Sequence, residues 1–378
     1  MKNNRNVNNN NSISSSNERR TANDFGGLTL SSRPHQLDSS FQFLQISVSL
    51  DCPHVTIVAL HRPHKRNAMH TALWKEIGRL FSMLGRLGDG CRVVLLTATG
   101  STFSAGIDVA DASFLSPLNQ KEEPANNNNH KDSTDVAHLG LSFFPKLQDM
   151  QDCFTALERC PVPIVAAIHG NCIGAGVDLI CCADIRMCSA DAIFSVREVA
   201  LGLAADVGTL QRLPKITGNQ SLVREACFTG RNFTATEALQ MGLVSRVVGV
   251  AGGAINPTGN DPQQKLLLLR KLQQDALLLC TAIVQHSPVA VHGTKQAILY
   301  ARDHSVSDGL AQIASYNMLA LQSNDVATAF MRVLKSRRSP LAQKSINDSG
   351  VDDNNNNDDK RNLNDLPTYA EIPTHSRL

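Results

Sequence analysis

Short, wholly apolar runs alternate with longer amphipathic stretches through the middle of the chain. Phe43–Leu50, Val55–Leu60, Val93–Thr97, Ile164–Ile168 and Ile185–Met187 have the length and the Val/Ile/Leu content of strands. Leu73–Leu87, Gln148–Arg159 and Leu222–Phe228 place apolar residues at helical spacing. Such alternation predicts an α/β core whose ligand site is built by the loops that leave the strands. From about Gln264 the pattern turns almost wholly helical, and Pro288 and the polar Asp303-His304 divide it into roughly three helices. Their leucine and alanine stripes are packing surface. A core over residues 41–263 and a helical module over 264–344 therefore follow one another.

Three tracts break the pattern. Residues 1–40, an insertion at about 117–137 that contains Asn126–Asn129, and a tail over 345–378 that contains Asn354–Asn357 are polar and poor in aromatics. All three are expected to be disordered, because they cannot bury enough apolar surface to offset chain entropy. The insertion is tolerable within a folded core, since doubling a surface loop costs only about 0.6 kcal/mol in closure entropy.

Composition narrows the partners. In 378 residues, 36 basic and 34 acidic side chains leave a formal charge of +2, so no excess of either sign points to nucleic acid or an anionic membrane. The apolar runs are far shorter than the roughly 20 residues of a membrane helix, and the chain is expected to be soluble. Ten cysteines without a CxxC spacing argue against a zinc or redox motif and read as reduced thiols. No GxxxxGK[ST] or GxGxxG phosphate cradle is present. The first residues lack the apolar segment of a secretory signal.

Two glycine-containing turns follow strand-like runs: Phe103-Ser104-Ala105-Gly106-Ile107-Asp108 and Gly174-Ala175-Gly176. A tight turn or helix start leaves amides pointing outward with partial positive charge, and two such turns brought together can hold a developing oxyanion. Downstream, Asp178, Glu198 and Asp206 stand among apolar neighbours, which suggests burial. Burial raises a carboxyl pKa, and a second carboxylate nearby raises it further, giving an acid and a base near neutral pH. Each has an ordinary alternative. Asp178 suits the first turn of a helix, Asp206 could cap a helix beginning at Gly208, and Glu198 could pair with Arg197 or Arg186.

Taken together, these stretches resemble the enoyl-CoA hydratase/isomerase (crotonase) superfamily over roughly residues 45–340. The resemblance is carried by His61-Arg62-Pro63 with Asn67-Ala68-Met69, by the turn at Phe103–Asp108, by His169–Asp178 and by Ala183-Asp184-Ile185-Arg186. The run Glu198–Pro214, with Ser287–Val291 and Tyr300–Val306, is similar to the dienoyl-CoA isomerase branch. That resemblance implies a spiral of ββα repeats followed by a helical module that packs homotrimers or homohexamers. It implies isomerisation of 3,5-dienoyl-CoA to 2,4-dienoyl-CoA in fatty acid β-oxidation, with no metal and no cofactor beyond the CoA of the substrate. Glu198, Asp206 and Asp178 would be the catalytic carboxylates, and the amides of Ile107 and Ala175 the oxyanion hole. The CoA arm would lie along Ala105, Gly106, Ile107, Asp108 and Val109, with Ala175. Gly174-Ala175-Gly176 departs from the family's triple glycine.

A 2-trans-enoyl-CoA hydratase using Asp178 and Glu198 is the alternative, although hydratases carry a glycine-rich stretch where Asp206 stands here. A non-catalytic, RNA-binding relative is a remoter one, opposed by the neutral charge balance. The terminal Ser376-Arg377-Leu378 resembles the tripeptide read by the peroxisomal import receptor, so a peroxisomal location is expected, with mitochondrion as the alternative.

Overall fold

The structure is a computed structural model that describes residues 30–31, 41–85, 90–111, 136–249 and 261–338. Its strands are β1 (Leu30–Ser31), β2 (Leu44–Ser49), β3 (Val55–Leu60), β4 (Val93–Ala98), β5 (Ile164–Ile168), β6 (Asn171–Ile173), β7 (Ile185–Ser189), β8 (Ile193–Ser195), β9 (Phe233–Thr234) and β10 (Arg246–Val248). The core helices are α1 (Thr71–Met83), α2 (Val136–Glu158), α3 (Ala175–Cys181), α4 (Thr209–Ile216), α5 (Gln220–Thr229) and α6 (Ala235–Met241). The helical module comprises α7 (Pro262–Val284), α8 (Pro288–Ala301), α9 (Val306–Ala320) and α10 (Asn324–Arg338).

Seven strands form one sheet in the order β1-β2-β3-β4-β5-β7-β10, antiparallel across β1, β2 and β3 and parallel from β3 onward. A second sheet holds β6, β8 and β9. Successive turns of chain each give one strand to the large sheet and one short segment to the small one. β4 is followed by Ser104, which bridges to Cys172 of β6, then β5 leads to β6 and β7 leads to β8. This is the spiral of repeated units that the resemblance implied.

The strands read as unbroken apolar runs because the large sheet is covered on both faces. Val94, Leu96 and Ala98 of β4 face one core, with α1, α2 and α3, while Val93 and Leu95 face a second core closed by Leu272, Ala276 and Cys280 of α7. Residues 164–168 of β5 divide in the same alternating way. Trp74 of α1 stacks on Phe154 of α2, with ring centroids 4.5 Å apart, and pins the two helices against the sheet. All ten cysteines are free, eight of them buried.

Some boundaries differ from expectation. Leu30–Ser31, inside the expected disordered N-terminus, pair with Ser49 and Val48, and Val136–Ala137, inside the expected insertion, begin α2. The rest of those two tracts and the tail over 345–378 lie outside the described residues. The helical module has four described helices instead of three. The unforeseen break falls at Leu321–Ser323, where neither proline nor glycine marks it.

Candidate active site

The turn after β4 is built by side chains donating to backbone. Asn67, buried and in the left-handed conformation at φ 53°, donates through Nδ2 to the carbonyls of Thr99 (2.8 Å) and Thr102 (2.7 Å). Its Oδ1 accepts the Arg62 amide at 2.8 Å. Ser104 Oγ donates to the Asn67 carbonyl and accepts the Gly106 amide, closing the loop from within. The motif Asn67-Ala68-Met69 is therefore a scaffold for Gly106 and Ile107.

Backbone bonds then lock this turn to the one after β6. Phe103 donates to the His169 carbonyl, Ser104 to Asn171, and Ile173 back to Ser104, each at 3.0 Å. As a result, Gly106 and Gly174 approach so closely that side chains are excluded. A Cβ at Gly106 (φ +91°) would lie 3.0 Å from the Ile173 carbonyl oxygen and 3.8 Å from Gly174 Cα. Among the described residues, the amides of Ile107 and Ala175 donate to no protein acceptor. Two free amides on facing turns can receive a thioester oxygen as it gains negative charge.

The three carboxylates meet at this point in unequal environments. Asp178, in the first turn of α3, is fully buried; its Oδ1 accepts the Thr209 amide at 2.6 Å, and Oδ2 has no partner among the described residues. Burial, opposed by Thr209 and reinforced by the charge of Asp206, raises its pKa to about 6. Glu198 opens a short 3-10 turn after β8 and is half-buried, with Oε1 3.0 Å from where a Cβ on Gly174 would stand. Burial, then the negative charges of Asp178 and Asp206, lift Glu198 to about 7. Asp206 is exposed, contrary to the burial expected from its apolar neighbours, because Ala205 and Val207 turn inward and leave it on the surface. Surrounding protein still displaces enough water to raise its pKa.

Of the ordinary alternatives, the one for Asp178 is realised, since it stands in the first turn of α3, and those for Glu198 and Asp206 are not. Arg197 donates to the Gly230 carbonyl and Arg186 to the carbonyls of Leu243 and Ala183, so neither is spent on Glu198. Gly208, not Asp206, is the N-cap of α4, whose first amide is satisfied by Asp178 from a different helix.

Along the segment from Ala105 to Val109, Gly106, bonded to Ser104 as above, and two further positions have bonds of their own. The Ala105 amide donates to the Arg66 carbonyl and the Asp108 amide to Met69. Partial burial would raise Asp108, but Arg62 Nη1 at 3.1 Å outweighs it and holds the carboxyl below its ordinary value. Ile107 keeps a free amide, and Val109 is 77% exposed. A separate cavity of about 930 Å³ lies between α8 and the edge formed by α3 and α4. Cys182, Ile216 and Val291 help line it, and it holds none of the three carboxylates.

Sequence reasoning missed the groups behind Asp206. Gln151 Nε2 of α2 donates to the Asp206 carbonyl at 2.7 Å. Arg212 of α4 pairs with buried Glu158 through two bonds of 3.2 Å. Glu158 also receives Arg302, and these pairs hold its carboxyl below the ordinary range despite burial. Arg212 stood inside the resemblance-bearing run, but nothing about Gln151 distinguishes it from any helix-surface glutamine.

Facing free amides at the junction of a two-sheet spiral, with three carboxylates beside them, define the enoyl-CoA hydratase/isomerase class. Residues 145–252 match the family model described as Enoyl-CoA hydratase/isomerase. The chain belongs to this family. It is 41% identical over 313 residues to the mitochondrial Delta(3,5)-Delta(2,4)-dienoyl-CoA isomerase of Homo sapiens, covering 82% of this chain and 84% of that protein. To the peroxisomal enzyme of the same name from Arabidopsis thaliana it is 34% identical, covering 75% and 91%. Among solved structures it resembles a putative enoyl-CoA hydratase from Thermobifida fusca in complex with acetoacetyl-CoA. The TM-score is 0.58 at 25% identity, covering 76% of this chain and 98% of that one.

Proposed function

We propose that this chain isomerises 3,5-dienoyl-CoA to 2,4-dienoyl-CoA in fatty acid β-oxidation. The observation that carries the reading is the presence of three carboxylates, not two, around the paired free amides. The thioester oxygen sits between the amides of Ile107 and Ala175, with the CoA arm along Ala105–Val109. Glu198, against Gly174, stands at the thioester end and takes a proton from carbon 2. The electron pair moves into the thioester and is held as an enolate by the two amides. Asp206, on the open side, returns a proton to carbon 6, so each double bond moves one carbon toward the thioester and the product is the 2,4-diene, conjugated with the thioester carbonyl. Proton transfers alone balance the reaction, and CoA enters as part of the substrate.

The raised pKa of Glu198 supports the assignment of the base, and the exposure of Asp206 adds a condition for the acid. With a pKa of about 7, Glu198 is ionised in much of the population at neutral pH yet basic enough to accept a proton. Asp206 must hold a proton to deliver one, and an apolar acyl chain laid over its exposed carboxyl would remove water and raise its pKa further. Asp178 keeps Glu198 basic through its charge. Hydration of a 2-enoyl-CoA fits less well, because Asp178, the partner that pairing needs, is buried and bonded to Thr209.

Asp206→Asn is expected to lower turnover by about a hundredfold or more with acyl-CoA affinity nearly unchanged, as for loss of an acid/base group. Turnover above about a tenth of wild type, followed by the absorbance of the diene conjugated with the thioester, rejects the role. Self-assembly into trimers or hexamers is supported by exposed Leu310, Met318, Leu319, Phe330 and Leu334 on α9 and α10. Sedimentation that shows only monomer rejects it. A peroxisomal location is proposed from Ser376-Arg377-Leu378, and an unchanged distribution after their removal rejects it.

A further inference from the structure

Asp206 is carried by a loop held through the carbonyls of two successive residues, closely packed at the third and bonded through its amide at the fourth. Gln151 donates to the carbonyl of Asp206 (2.7 Å) and Arg212 Nη1 to that of Val207 (3.4 Å). Gly208, at φ +130°, lies so close under the Arg212 guanidinium that a Cβ has no room. Thr209 donates to Asp178. Arg212 is in turn fixed by Glu158 and by Thr155 Oγ1 at 3.1 Å, and Glu158 is shared with Arg302 at the end of α8. Gln151, Thr155 and Glu158 succeed one another at helical spacing on α2 and face the loop as one strip.

Such a hold exceeds what an exposed surface loop needs for stability. We propose that Gln151 and the Arg212–Glu158–Arg302 chain are positioning residues for proton delivery by Asp206, and that Arg302 makes the helical module part of that hold. The inference rests on the reading of Asp206 as the proton donor. It assigns no contact with substrate to these residues. They set where the Asp206 carboxyl can reach, and a displacement of about 1 Å at a reacting group is enough to cost on the order of a hundredfold.

The test separates the two proton transfers. In D2O, label entering carbon 2 reports the step at Glu198, while formation of the 2,4-diene, conjugated with the thioester carbonyl, requires both steps. Gln151→Met removes the donor and preserves the helix. It is expected to slow diene formation about tenfold or more while carbon-2 exchange stays within about twofold. Arg302→Met acts in the same direction by a smaller factor, and Arg302→Lys recovers part of the loss. If Gln151→Met slows both readouts equally, or neither, the positioning role is overturned. Asp206→Asn run alongside keeps the two readings apart. If it fails to separate exchange from diene formation, the donor assignment itself falls. If it separates them and Gln151→Met does not, only the positioning inference falls.

Discussion

Replacing Glu198 with glutamine should stabilise the protein while disabling it, and the gain should depend on pH. The carboxyl has a pKa of about 7 in the folded chain against 4.5 for an unperturbed glutamate. Folding therefore favours its protonated form. Below about pH 4.5 both states are protonated and the site makes no demand. As pH rises past 4.5 the unfolded chain ionises first, and by pH 8 the folded chain must hold a charge beside Asp178 with Oε2 unpartnered. Linkage sets the cost at about 3 kcal/mol for a gap of this size, and solvent at the half-buried carboxyl screens part of it, leaving about 1–2 kcal/mol. Glu198→Gln removes that cost. At about 2–4 °C per kcal/mol, its melting temperature at pH 8 should exceed that of wild type by about 2–8 °C. At pH 4.5 the two should nearly coincide. Melts by circular dichroism at both pH values decide it. A variant equally stable at pH 8, or stabilised more at pH 4.5, would refute the argument that burial and the neighbouring carboxylates lift Glu198.

Three further outcomes follow from the same geometry. kcat/KM should rise through pH 7 as Glu198 loses its proton, and Asp178→Asn should move that limb to lower pH by removing a neighbouring negative charge; an unmoved limb argues against the coupling. Gly174→Ala should lower kcat about a hundredfold or more, since its Cβ would press on Glu198 Oε1 at a φ of +50°; near-normal turnover would show that the turn tolerates displacement. Phe154→Ala should cost about 3–5 kcal/mol in urea unfolding, because the ring stacks on Trp74 and is fully buried; a loss below about 1 kcal/mol would mean that the α1–α2 contact collapses to fill the gap.

The fold was legible where burial is two-sided. Val55–Leu60 and Ile164–Ile168 were bounded to the residue from their apolar runs, because both faces of the sheet are covered and the runs end where the cover ends. Short elements such as α6 were missed, since seven residues give only about two turns of periodicity. At the site, the glycines and acids could be named because chemistry restricts those residue types. Their environments could not. Asp178 and Asp206 have equally apolar neighbours in sequence, yet one is sealed under α4 and the other faces solvent. That difference is decided by which way the spiral turns, and so by contacts such as that of Asp178 with Thr209, 31 residues apart. Gln151 lies 55 residues from the loop it holds, and no local pattern announces a glutamine that donates to a distant carbonyl.

The main-chain bonds that join Ser104 to Asn171 and Ile173 also bear on how such a site can change over generations. The spacing of the two amides is written in peptide geometry, which no single side-chain replacement edits. The carboxylates hang on segments that the bonds do not cross. A lineage can exchange, add or lose an acid at positions 178, 198 or 206 and try a different proton itinerary, while the gauge that grips the thioester keeps its calibration.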